Sequence, residues 1–199
     1  MTLSTIAALI TFAFVTSVTP GPNNIMLMTS GANFGFRRSI PHNIGIAVGF
    51  CFMLCLLGFG LIGIFEWFPL AHTGLKVVSV FYFIWLAWKF ANASPPTEGQ
   101  AQSQSQPMTF LQAAAFQWIN PKALMMAIGA ITTYAPDRSI LLVVLVGVVF
   151  GLVNAPSTAI WVVMGTEIRR FLHRPNLLRG FNWLMAALLL ASLWPILSQ

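Results

Sequence analysis

An all-α polytopic membrane protein, with six transmembrane helices forming two inverted three-helix repeats, is the fold class this sequence predicts. Three observations lead there. Of the 199 residues 57% are hydrophobic and only 7% charged, with a mean hydropathy of +0.80, which would cover a soluble domain in apolar patches. Apolar stretches near residues 3–29, 43–65, 73–91, 110–133, 139–164 and 177–197 each approach the roughly 20 residues a spanning helix needs. Landmarks of the first three runs recur in the last three: Pro22 and Pro121, Gly45-x-x-x-Gly49 and Gly147-x-x-x-Gly151, Lys76 and Arg179, at offsets of 99, 102 and 103 residues. A unit of three helices is odd in number, so its copy inserts upside down. The division follows as 1–91 for the first repeat, 92–108 for a linker and 109–199 for the second.

The first run lacks a basic start and a small-residue cleavage end, and is expected to stay as a membrane helix. It contains Thr19-Pro20-Gly21-Pro22-Asn23-Asn24. Pro20 and Pro22 lack N–H groups and crowd the carbonyls of Thr16 and Val18, while Thr19 and Gly21, each preceding a proline, are pushed out of the α region. The helix must open there. Backbone freed at membrane depth cannot face lipid, so it faces protein or a hydrated cavity. Asn23 and Asn24 suit the lining of such a cavity. A restarting helix aims its unpaired N–H groups at the gap, with freed carbonyls opposite, a pair of partners for a carboxylate and an ammonium. Pro20, Gly21, Pro22, Asn23 and Asn24 are therefore candidate substrate-site residues.

In the second run, Cys51 and Cys55 share a helical face with spacing unsuited to a disulfide framework, and read as small side chains at a helix contact. The Gly45/Gly49 and Gly147/Gly151 pairs mark close helix packing. The third run ends before residues 92–107, a stretch of Ser, Pro, Gln and Gly with nothing to bury. In the fourth run Trp118-Ile119-Asn120-Pro121-Lys122 repeats the break: Pro121 frees the carbonyl of Gln117 and Asn120 offers an amide. Lys122 lies about 18 Å along the helix from Phe110, and an intramembrane cation is functional by default. Asn120, Pro121 and Lys122 join the candidate site. In the fifth run Asn154-Ala155-Pro156-Ser157-Thr158 supplies Asn154, since Ser and Thr in such a helix commonly bond back to their own backbone.

Orientation follows from the basic residues. Arg37, Arg38, Lys89, Arg169, Arg170, Arg174 and Arg179 fall on one side and Arg138 and Lys76 on the other, so both termini are predicted outside, with Trp67 and Trp194 as interfacial aromatics. The net charge of +6 is scattered between apolar runs, unlike a phosphate-tracking stripe, and nucleic-acid binding is excluded. No H-E-x-x-H, G-x-S-x-G, phosphate loop or paired carboxylates occur, which speaks against an enzyme, a metal site or a cofactor. His42, His72 and His173 read as loop or interfacial side chains.

The proline motifs, with Asn154-x-Pro156, Trp161 and Gly165, resemble the LysE/RhtB family of bacterial amino-acid exporters over nearly the whole chain. The resemblance implies an exporter in the bacterial inner membrane, driven by the proton motive force. Its substrate would be a small neutral amino acid or derivative such as cysteine, O-acetylserine, threonine or homoserine. Trp85-Leu86-Ala87-Trp88-Lys89 and Gly49-Phe50 look most like the cysteine- and O-acetylserine-exporting members. Many members carry Asp where this chain has Phe50, and its acidic residues Glu66, Glu98, Asp137 and Glu167 lie in loops or at helix ends. Proton coupling would then fall to Lys122, or charge would move with the substrate alone. The alternatives are a passive channel for small zwitterions, since selectivity filters also expose carbonyls, and a non-transporting assembly partner; the sequence leaves a homo-oligomer open.

Overall fold

A computed structural model describes residues 1–61, 69–92, 106–172 and 174–192. Among them every regular element is helical. Helix α1, Leu3–Val18, is capped by the Thr2 hydroxyl, which accepts from Thr5 N–H at 3.2 Å. It is followed after a three-residue break by α2, Pro22–Phe34, with Pro22 at its first position and its axis turned 58° from α1. Gly35 alone makes the next corner, at φ +82°, a left-handed conformation that suits glycine. Helix α3, Phe36–Leu56, therefore starts well before residue 43 and carries Arg37 and Arg38 in its first turn and Pro41 inside it. The loop expected around the arginine pair is absent because one glycine turns the chain.

Helix α4 covers Pro69–Ala91 and α5 covers Phe110–Phe116. Helix α5 opens on a capping box in which Thr109 and Gln112 each bind the other's backbone N–H. A single tight turn, Gln117–Ile119, leads through Asn120 into α6, Pro121–Tyr134, with Pro121 at its first position. Helix α7, Ile140–Arg169, is the longest, and α8 runs Pro175–Ala191. Phe36–Gly60 and Ile140–Arg169 are long and apolar enough to cross a membrane, and the bent pair α1–α2 makes a third span if taken as one. Val77–Ala91 and Asn176–Ala191 are shorter apolar helices. Trp67, Trp194, Glu66, Glu98, His173 and nearly all of the 92–108 linker lie outside the described residues.

Helix α7 runs against α1, α2 and α3, while α5 lies on α3 and α4 on α8. Glycines set these approaches. A Cβ on Gly45 or Gly49 would overlap Phe110, Ala113 or Ala114 of α5, and Gly147 and Gly151 run against Cys51 and Cys55, as the spacing anticipates. Gly31 and Gly165 bring α2 and α7 into backbone contact. Two large apolar clusters result, beside a small one of Leu27, Ile46, Ala113 and Val162. One joins α1, α3, α6 and α7 through Leu9, Phe50, Met53, Ala127 and Phe150, the other joins α2, α4, α5 and α8 through Met26, Phe83, Phe116 and Leu189. Phe52, Phe81, Trp88 and Leu152 are left exposed on the outer faces of α3, α4 and α7, a surface suited to lipid rather than water.

Candidate functional site

The two proline breaks meet. Each leaves a helix start without a side-chain cap, at Gly21 for α2 and Asn120 for α6, so the first-turn N–H groups of both helices remain available. The carbonyls freed at the end of α1 do not remain so. Asn24 Nδ2 donates to Ser17 O at 2.9 Å and Thr19 O at 2.8 Å, Trp161 Nε1 donates to Val18 O at 3.1 Å, and Lys122 Nζ donates to Thr19 O and, at 3.3 Å, to Pro20 O. Four successive carbonyls, 17 to 20, are thus held by side chains from α2, α6 and α7. Gln117 O likewise accepts the Asn120 N–H at 3.3 Å. This corrects the expectation that freed carbonyls face the solute. In a low-dielectric interior an unpaired carbonyl is costly, and the nearest amide, indole and ammonium groups satisfy it.

Lys122 reaches the first break by crossing directly over Gly21, where a Cβ would lie 2.7 Å from Lys122 Cδ. A Cβ there would make the Lys122 side chain shift. The breaks are also joined by Asn23 and Gln117, whose amides pair in both directions at 2.9 and 3.2 Å. Gln117 is fully buried and donates as well to Ala113 O at 2.9 Å.

Between the breaks lies a cavity of about 20 Å³, walled in part by Asn24, Phe50, Asn120, Lys122, Asn154 and Thr158. Asn154 donates to Ser17 Oγ at 2.9 Å, yet its Oδ1 has no hydrogen-bond partner, and neither has Asn120 Oδ1; both atoms are buried. The lining thus combines two amides with buried, unpartnered oxygens and the Lys122 side chain, all three from the second half of the chain. Phe50 forms an apolar wall, 4.7 Å between ring centroids from Phe150.

Of the sequence candidates, Gly21, Asn23, Asn24, Asn120, Lys122 and Asn154 line this cavity, while Pro20, Pro22 and Pro121 do not and instead make the breaks. Sequence reasoning missed Gln117, Ser17, Trp161 as a carbonyl donor, and Thr158. Thr158 does bond back to Asn154 O at 2.8 Å, as such residues commonly do, and also donates to Asn43 Oδ1 at 2.7 Å. Among the described residues no cluster of His, Cys, Asp or Glu could hold a metal ion.

The family described as LysE type translocator matches residues 14–192. A cysteine/O-acetylserine efflux protein of Klebsiella pneumoniae is 30% identical over 194 residues, covering 95% of each chain. Proteins of the same name from Escherichia coli K12 and Shigella sonnei are 29% identical over 194 residues, again covering 95% of each. No solved structure matches the chain significantly. With nearly its full length matched, the chain belongs to the LysE type translocator family, whose members are transporters and not enzymes.

Proposed function

We propose that this protein exports small neutral amino acids or close derivatives, such as cysteine, O-acetylserine, threonine or homoserine, across the bacterial inner membrane. The observation that carries the proposal is the chamber between the breaks, lined by Asn120 and Asn154, whose buried Oδ1 atoms have no hydrogen-bond partner, and by Lys122. An α-ammonium suits the two oxygens. A carboxylate suits the Lys122 ammonium and the uncapped starts of α2 and α6. Phe50 offers no partner to a charged side chain.

The reading includes alternating access between two inverted halves, 1–91 and 109–199, joined by the 92–108 linker, with six spans and both termini outside. Reciprocal packing supports it: α1 lies on α7 as α5 lies on α3, and the paired elements α3 with α7 and α4 with α8 pack on each other. A cavity of about 20 Å³ holds a water-sized object, far below the about 300 Å³ of an ordinary ligand pocket. Loading therefore requires the halves to part, which favours a carrier over an open pore. The proton motive force is taken as the driving energy.

Counterflow in proteoliposomes tests the proposal. Labelled cysteine, O-acetylserine, threonine or homoserine should enter faster when the same unlabelled solute is inside, and lysine should not. Flux unchanged by internal solute would mark a channel, and no flux of any of them would end the reading. A second expectation concerns Gly21→Ala. The added methyl displaces Lys122 from its crossing and should slow counterflow about tenfold, roughly the effect of losing one charge-assisted hydrogen bond, with membrane insertion unchanged. Counterflow at the wild-type rate would mean that Lys122 need not cross at Gly21.

A further inference from the structure

His42 does not occupy the loop or interface expected for it. It sits in α3, 2% exposed, and neither ring nitrogen has a hydrogen-bond partner. Buried polar atoms nearly always find partners, so this exception calls for a role. The packed helices offer the ring no counter-charge. Against α3 lie α2, α5, the 117–119 turn, α6 and α7, and the first three contain no titratable side chain. Helix α6 contributes Lys122, engaged at Thr19 and Pro20, and Tyr134, whose ring packs on Phe12. Helix α7 contributes Glu167, paired with Arg170 at 3.1 Å, and Arg169. On α3 itself Arg37 and Arg38 are exposed, and Cys51 and Cys55 lie more than two turns away.

The position matters as much as the isolation. The next residue, Asn43, fastens α3 to α7, donating to Ala155 O at 3.0 Å and accepting from Thr158 Oγ1 at 2.7 Å, and Thr158 walls the cavity. His42, one residue from that clasp and about 100° round the helix from it, shares its face of α3 with Ser39, which bonds Ser30 of α2, and with Gly45 and Gly49, which run against α5. A neutral imidazole tolerates that buried face when it is closed and dry; an imidazolium requires water or an anion.

We infer that His42 is the proton-binding group that couples solute movement to the proton gradient, an inference resting on the proton-driven exporter reading above. Gaining a proton at one ring nitrogen favours the forms in which water reaches that face of α3, and losing it favours the closed form. The proton comes from the outer water and is given up to the inner water, with only the one N–H bond made and broken. This gives to His42 the titrating role for which the sequence offered Lys122.

The test separates exchange from gradient drive. Proteoliposomes take up labelled cysteine, O-acetylserine or threonine either by counterflow at equal pH or under an imposed pH gradient with the acid side inside. The wild type should do both. His42→Gln should keep counterflow within about twofold of wild type and lose the gradient-driven component entirely, whereas His72→Gln with His173→Gln should keep both. Asn and Ser at position 42 give the same readout should the Gln variant fail to insert. Gradient-driven uptake surviving in any inserted variant overturns the inference, and so does loss of counterflow and drive together, which would make His42 merely structural. Wild-type counterflow without response to a gradient would remove the proton-driven reading and this inference with it. No wild-type counterflow at all would remove the exporter reading itself.

Discussion

Lys122→Met is expected to lower amino-acid counterflow by about 100-fold or more while the protein still inserts. Lys122 is the one charged side chain among the cavity-lining residues, and it is also the donor that reaches from α6 to Thr19 O and Pro20 O. Methionine keeps the apolar stem and, one atom shorter, most of its length. What it removes is the charge, leaving one carbonyl with no side-chain donor, the other with Asn24 alone, and no cation for a solute carboxylate. Loss of a charged contact in a water-poor site commonly costs a few kcal/mol, which converts to that range of rate. Lys122→Arg should restore little, because a planar fork does not fit where a compact ammonium crosses Gly21. The measurement is initial counterflow rate per inserted protein. A Met variant within about threefold of wild type would show that the cation is dispensable.

Gly165→Leu is expected to have the largest effect on folding. A Cβ on Gly165 would overlap Met28 O and Ala32 N of α2, and a Cβ on Gly31 would overlap Val162 O of α7, so the two backbones meet with no space for a side chain on either. The obstructing atoms are main chain and cannot rotate away. Overpacking against yielding side chains costs about 1–3 kcal/mol, and this contact should exceed the upper value, lowering the thermal midpoint in detergent by about 10 °C. Gly180→Leu is the control, since nothing lies within 4 Å of a Cβ there. Equal midpoints for the two variants would mean that α2 and α7 do not depend on this contact.

The contrast between Pro22 and Gln117 shows how far the sequence could be read. A proline removes an N–H and restricts its predecessor whatever surrounds it, so the breaks at Pro20, Pro22 and Pro121 were readable locally, as were the amides beside them. Which acceptor each donor finds is not local. Asn23 and Gln117 are 94 residues apart and Trp161 is 143 from Val18, and only packing brings them together. The same reason hid the fate of the freed carbonyls: the break predicted that they exist, while the chain's own donors decided that they are filled. At the start of α3 a charged pair and a nearby histidine suggested a loop, but Gly35 at φ +82° turns the chain in one residue and carries His42 into the interior.

The row of carbonyls from Ser17 to Thr19 and Pro20 has one more implication. Asn24, Trp161 and Lys122 reach it from three separate helices, so under the alternating access proposed above an unloaded carrier is latched by its own groups, and the rocking motion must strip donors from acceptors. A bound zwitterion carries a spare ammonium and a spare carboxylate of its own, able to stand in for what is stripped. Such a molecule turns over more readily with cargo aboard than without, and swapping one solute for another should outpace its net discharge.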